Sequence, residues 1–139
     1  MIASEHATLS ILVVEDDPGV ADLLHELLND VGGWGATVAH EAAAARSTFQ
    51  QVCIDVLIPD LDLPGISGLE LLELLHQEAG WHDQPVIMVS ANARKPEVVA
   101  AVRAGRVIKA VMKPFDIDHL IGVITEATGR QAGREGARA

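Results

Sequence analysis

Four polar clusters, each set close behind an apolar run, carry residue types that could do chemistry: Glu15-Asp16, Asp60 with Asp62, Ser90, and Lys113. Glu15 and Asp16 follow residues 11–14. Asp60 and Asp62 follow the run 52–58, which is apolar apart from Asp55. Ser90 closes 85–89, and Lys113 closes 107–112, a run interrupted by Lys109. Brought together, the carboxylates would repel one another and require a cation. Hard oxygen donors with few protein contacts suit Mg²⁺, which keeps several of its waters. A carboxylate such as Asp60 could then act as a nucleophile and form an acyl phosphate. Lys113 would offset charge on the phosphoryl oxygens, and Ser90 could donate a hydrogen bond to one of them. Each cluster alone also fits a solvated turn, where aspartate and serine are common. Their joint composition is what points to a site.

The elements that would position these residues are legible from periodicity. Runs that are apolar on both faces predict strands of a parallel sheet. Asp17-Pro18 predicts a helix start, an aspartate cap followed by proline at the first position. Val20, Leu23, Leu24, Leu27, Leu28 and Val31 form its apolar stripe, and Gly32-Gly33 stops it. Residues 36–39 predict a short edge strand, and 41–51 a helix with Ala42, Ala45 and Phe49 on one side. Ser67 and Glu70 predict a capping box at the head of a leucine-rich helix running to about residue 79. A helix over 96–104 would face Val98, Val99 and Val102 inward. Asp116 would cap the last helix, with Ile117, Leu120, Ile121 and Ile124 on one stripe and Gly129 at its end. Five β-α units with short connections predict a doubly wound parallel sheet of five strands with right-handed crossovers. In the order 2-1-3-4-5 the first and third strands flank the topological switch point, so Glu15-Asp16 and Asp60 would be neighbours.

The runs V-V-E-D-D-P, D-V-L-I-P-D-L-D-L-P-G-I-S-G, P-V-I-M-V-S-A and V-M-K-P-F, in that order, resemble the receiver domain of bacterial response regulators, the CheY-like family. The resemblance spans residues 10–128 and implies a flavodoxin-like (βα)5 fold. It leaves 1–9 as a flexible arm and 129–139 as a disordered tail. It implies that Asp60 accepts a phosphoryl group, that Asp16 is a direct Mg²⁺ ligand, and that Glu15 acts on the metal through water. Asp62 matches a position that offers its backbone carbonyl to the metal. Ser90 matches the switch Ser/Thr, and Lys113 matches the family lysine, with a cis bond to Pro114. Asp17 is read as a helix cap and not a ligand. The implied phosphodonor is a histidine kinase or a histidine phosphotransfer protein. The implied output is a protein target on the face formed by the fourth helix, fifth strand and fifth helix. With no output domain in these residues, the expectation is a single-domain response regulator; a receiver cut from a longer chain reads the same way. Catalysis is expected to be limited to its own aspartyl phosphorylation and dephosphorylation.

Departures from the family pattern are visible. Ala110 falls where the family carries an aromatic switch residue, and the stretch from Gly105 to Lys113 is one residue longer than the family's usual length. Pro59 removes a backbone donor from a central strand. Two other readings stay open. Asp60-Leu61-Asp62 resembles the D-x-D of haloacid-dehalogenase phosphatases, although that motif ends the first strand there and the third here. A pseudo-receiver that only binds partners is the other, kept open by Ala110.

Composition narrows the classes. The 139 residues are 49% hydrophobic, enough for one domain with a proper core. A net charge of −10 argues against direct nucleic-acid binding, which needs a basic face. With no tyrosine and four other aromatics there is little material for base stacking. The start M-I-A-S-E-H-A-T lacks signal-peptide features and no apolar run is long enough for a bilayer, so the expected place is the cytoplasm, without membrane attachment. The lone Cys53 is expected to be buried on its strand, and the six histidines are read as surface or packing residues. A monomer or weak dimer is expected.

Overall fold

The computed structural model describes residues 8–129. Strands β1 (Ser10–Val14), β2 (Gly35–Ala39), β3 (Val56–Pro59), β4 (Ile87–Ser90) and β5 (Lys109–Met112) alternate with helices. The helices are α1 (Pro18–Asp30), α2 (Ala42–Gln51), α3 (Gly68–Leu75), α4 (Pro96–Arg103) and α5 (Ile117–Thr128). Most of the arm and tail expected at 1–9 and 129–139 lies outside the described residues. At the inner end of that arm Leu9 is buried and the Thr8 hydroxyl donates to the Gly33 carbonyl, so these two belong to the packed body.

Local chemistry starts the helices where the side chains indicate. Asp17 Oδ1 accepts from the amides of Gly19 and Val20 at 2.9 and 3.3 Å, which caps α1. Ser67 and Glu70 form the reciprocal capping box of α3. Asp116 Oδ1 accepts from the Asp118 amide at 2.9 Å at the head of α5, and Gly129 closes that helix at φ 72°. Satisfying these orphan amides contributes about 1 kcal/mol per helix.

β1 pairs in parallel with β2 and with β3, and β4 pairs in parallel with β5. Isolated bridges Leu57–Val86 and Asp60–Val89 set β4 beside β3, which completes the order 2-1-3-4-5. The thin seam has a cause in the sequence. Leu57 N–H donates to the Pro85 carbonyl and Leu61 N–H to the Val89 carbonyl. Pro59 sits midway and has no N–H, so by alternation the rung that would reach the Ile87 carbonyl is missing.

The sheet has a core on each face. Ile11, Val13, Val56, Ile58, Ile87 and Val89 pack against Leu24 and Leu28 of α1 and Leu120 and Ile124 of α5. Leu12, Leu57 and Met88 pack against Phe49 of α2, Leu71 and Leu75 of α3, and Val98 of α4. Period-2 alternation thus feeds both layers, as a doubly wound sheet requires. Among the described residues no helix is long and apolar enough to cross a membrane.

Some expected positions shift. Cys53 is exposed, not buried, and so is Val52. Val52 caps the end of α2 through its N–H to the Thr48 carbonyl, so both precede the strand. Asp55 then opens β3: its carboxylate accepts from the Ser10 amide at 2.8 Å, which explains a charge inside an apolar run. α3 ends at Leu75 and not near 79, because Gln77 and Glu78 switch to bonds three residues back, to Leu74 and Leu75. The helical stripes are narrower than read. α1 buries Ala21, Leu24 and Leu28 but exposes Leu23 and Val31, and α4 buries Val98 and Ala101 but exposes Val99. Each helix crosses only one layer of strands, which covers fewer side chains than the full apolar set.

Candidate functional site

The carboxyl edge of the sheet gathers the polar residues because the ladders run on into them. The Glu15 amide donates to the Ala39 carbonyl at 3.0 Å, extending β1 along β2. The Asp60 amide donates to the Val14 carbonyl at 2.9 Å, extending β3 along β1. The Lys113 amide donates to the carbonyl of Ser90, the last residue of β4, at 2.8 Å. Lys113 and Pro114 are joined by a cis peptide bond. Gly68, the first residue of α3, is a close-approach glycine. A Cβ there would stand 2.5 Å from the Asp60 carbonyl oxygen, so only glycine lets α3 start this near the site.

Carboxylate oxygens of Glu15, Asp16 and Asp60 lie within 4.8 Å of one another. Glu15 and Asp60 are buried, at 2% and 3% exposure, while Asp16 faces solvent. Lys113 Nζ stands 2.9 Å from Glu15 Oε1 and 2.8 Å from Asp60 Oδ2. The second oxygen of each buried carboxylate is held by a backbone amide. Asp17 N–H donates to Glu15 Oε2 at 3.1 Å, and Asp62 N–H donates to Asp60 Oδ1 at 3.0 Å. Both acids are therefore fixed in orientation.

The electrostatics show a site short of positive charge. Burial pushes the Glu15 carboxyl above the usual range, and the negative charge of Asp60 adds to that. The bonds from Lys113 and the Asp17 amide offset only part of it. Burial pulls the Lys113 ammonium down, but hydrogen bonds and charges from Asp60 and Glu15 outweigh it and hold the lysine above its ordinary value. An all-oxygen donor set of this kind fits a hard divalent cation.

Ser90 is fully buried at the end of β4, and its Oγ accepts from the Asn92 amide at 3.0 Å. Its own O–H remains a donor for a group arriving over Asp60. Asp62 brings its amide to the site, while its carboxylate turns out to Lys95 Nζ at 3.4 Å. Asp17 is the helix cap it was read as. In β5, Ala110 is in register with Met88, and Met112, in register with Ser90, is exposed. His40 Nδ1 lies 3.2 Å from the Glu15 carbonyl oxygen, and His76 stacks on Trp81 well away from the acids. The sequence reading missed Lys95 and Asn92. Asn92 lies two residues after Ser90 and Lys95 stands just before a helix-starting proline, but neither position says what it touches.

A family model described as response regulator receiver domain matches residues 11–125. The chain is 30% identical over 107 residues to chemotaxis protein CheY of Pseudomonas aeruginosa, covering 77% of this chain and 86% of that one. It is 27% identical over 135 residues to response regulator Rre1 of Synechocystis, covering 94% of this chain but only 58% of that relative. The solved structure of response regulator TrrA from Thermotoga maritima, in complex with Mg²⁺-BeF, gives a TM-score of 0.72 at 27% identity. The match covers 86% of this chain and 98% of that one.

Proposed function

This chain belongs to the response regulator receiver domain family, and from that premise we propose a phosphorylation switch whose acceptor is Asp60. The observation that carries the assignment is the bridge made by Lys113 between Asp60 Oδ2 and Glu15 Oε1. It sets a cation beside two buried carboxylates, and of these Asp60 is the one at the position that the family resemblance reads as the acceptor. The donor in this reading is a phosphohistidine of a histidine kinase or a histidine phosphotransfer protein. An oxygen of Asp60 attacks phosphorus, a P–O bond forms, and the P–N bond breaks with the electron pair leaving on the histidine nitrogen. Lys113 turns toward the incoming phosphoryl oxygens, and the Ser90 hydroxyl donates to one of them. The amides of Asp62 and Asp17 keep Asp60 and Glu15 from rotating.

Mg²⁺ is the cation the donor set fits, with Asp16 and Asp60 as ligands, Glu15 acting through water and Asp62 through its carbonyl. When bound, it would neutralise charge on the phosphoryl oxygens. The Mg²⁺-BeF complex of the Thermotoga relative supports that choice. The switch is proposed to work in the cytoplasm, as a monomer or weak dimer, and to turn over no other substrate. Its output is a protein bound at the face of α4, β5 and α5, whether the chain acts alone or within a longer protein.

A second reading, a partner-binding module that takes no phosphoryl group, is favoured by one observation, Ala110 in β5. Intact mass after incubation with acetyl phosphate, with and without Mg²⁺, separates the two. The switch requires a Mg²⁺-dependent gain of one phosphoryl group that Asp60→Asn abolishes. Wild type left unmodified by both acetyl phosphate and a phosphorylated histidine phosphotransfer protein would leave the binding module as the better account. A gain that survives Asp60→Asn would move the acceptor elsewhere.

A further inference from the structure

The loop after β3 and the loop after β4 form the two lips of the site, and one side-chain contact is seen to cross between them. Lys95 Nζ stands 3.4 Å from Asp62 Oδ1. At one end of this contact, the Asp62 amide donates to Asp60 Oδ1, so Asp62 is hydrogen-bonded to the acceptor carboxylate itself. At the other end, Lys95 is the residue on which α4 begins. Its carbonyl accepts from the amides of Val98 and Val99, both at 3.0 Å. Three hydrogen bonds and one ion pair therefore connect Asp60 to the first turn of α4.

We propose that Lys95 is a positioning residue of the switch: its ion pair with Asp62 ties the acceptor loop to α4 and carries the state of Asp60 to that helix. The inference rests on the phosphorylation reading above. Phosphorylation of Asp60 changes the charge and direction of the oxygens that Asp62 N–H now meets. The loop must adjust, and Asp62 moves with it. Lys95 then follows its partner or loses it, and either outcome perturbs the bonds that open α4.

The helix is built to respond. Its N-cap side chain makes no capping bond, so the first turn lacks the anchor that Asp17 gives α1 and Ser67 gives α3. Only Val98 and Ala101 of α4 are fully buried. On β5, Ala110 has no rotatable side chain, which closes a relay through that position. The contact is also cheap to break. The two side chains are 39% and 49% exposed, and an exposed pair shifts an equilibrium by about five-fold at most. A contact of that size biases a two-state segment without locking it.

The test is hydrogen–deuterium exchange of α4, with intact mass recorded on the same samples, before and after acetyl phosphate and Mg²⁺. Wild type, Lys95→Met and Lys95→Arg are compared. Wild type is expected to gain the phosphoryl group and to change α4 exchange by about two- to five-fold. Lys95→Arg is expected to keep that change. Lys95→Met is expected to gain the phosphoryl group and lose the α4 response. An undiminished α4 response in Lys95→Met, or none in phosphorylated wild type, overturns the proposal. If wild type gains no phosphoryl group, the mass spectrum places the failure in the phosphorylation reading, and the inference falls with it.

Discussion

Lys113 Nζ lies 2.8 Å from Asp60 Oδ2, and the same nitrogen also bonds Glu15, so one ammonium serves two buried acids. Removing it leaves both carboxylates without a cation. Breaking a fully enclosed ion pair costs about 3–5 kcal/mol; Lys113 keeps 23% of its side chain in solvent, so Lys113→Met is expected to cost about 2 kcal/mol near pH 7. The pH dependence has a definite sign. Lys113 has a raised pKa, so its contribution is fully present below the ordinary lysine value and is lost as pH rises through the higher folded value. Glu15 is also raised, so it favours the fold when protonated and penalises it as pH climbs through its folded pKa. The deficit of Lys113→Met should therefore be largest between these windows and shrink on acidification as pH falls from the raised Glu15 value to the ordinary glutamate value, because Glu15 takes up its proton in the fold over that range. Urea unfolding of both proteins from pH 4 to 11 measures it. A deficit that grows toward acid would contradict the assignment.

The acidic cluster should make stability depend on Mg²⁺. A cation that binds only the folded state stabilises it by mass action, by about 1.4 kcal/mol at ten times its Kd. Wild type should unfold at higher temperature as Mg²⁺ is raised, and Asp16→Asn and Asp60→Asn should lose most of that rise. Both substitutions should also make the metal-free protein no less stable, since each removes one member of a crowded group of like charges. A thermal melt with and without Mg²⁺ reads both effects. Equal Mg²⁺ responses in all three proteins would place the cation elsewhere.

Ser90 has two separable roles. Its Oγ accepts from the Asn92 amide, and that bond stays intact only while a hydroxyl is present. Ser90→Ala is expected to lose about 1 kcal/mol of stability, because a partly buried amide loses its partner. Phosphoryl gain from acetyl phosphate should slow about ten-fold, the effect of removing one hydrogen bond of about 1.4 kcal/mol to a charged oxygen. Ser90→Thr keeps the hydroxyl and should recover both. A rate unchanged in Ser90→Ala would restrict the serine to its structural bond.

These sites differ in how far the sequence could reveal them. The caps at Asp17, Ser67 and Asp116 follow local rules over three residues, and each appears as read. The meeting of Glu15, Asp16 and Asp60 needed only strand order and the common carboxyl edge. Burial was less legible. Leu23 and Val99 lie on apolar stripes, but how much of a stripe is covered depends on the neighbouring layer. Val52 and Cys53 look like strand residues until α2 is seen to end at them. The Lys95–Asp62 contact joins two loops 33 residues apart, and no local pattern encodes it. The consequence of Pro59 needed the register, because only the register says which neighbour its missing N–H would have faced.

That last point leads to a substitution at Pro59. Along β3 and just past its end, the amides of Leu57 and Leu61 reach the carbonyls of Pro85 and Val89, before and within β4, and position 59 should reach between them once it has an N–H. Pro59→Val supplies the donor and suits a strand flanked by Val14 of β1. The net hydrogen bond contributes about 1 kcal/mol, and the freer unfolded chain takes back about 0.4–1 kcal/mol. Overall stability should therefore move by less than about 1 kcal/mol, and a melt is the wrong measurement. Amide exchange is the right one. The new amide at 59 should exchange as slowly as those of Leu57 and Leu61, and both of these should slow further as the seam becomes a continuous ladder. An amide at 59 that exchanges at the rate of an unstructured peptide would show that the Ile87 carbonyl does not face it, and that the gap between β3 and β4 has a cause other than proline.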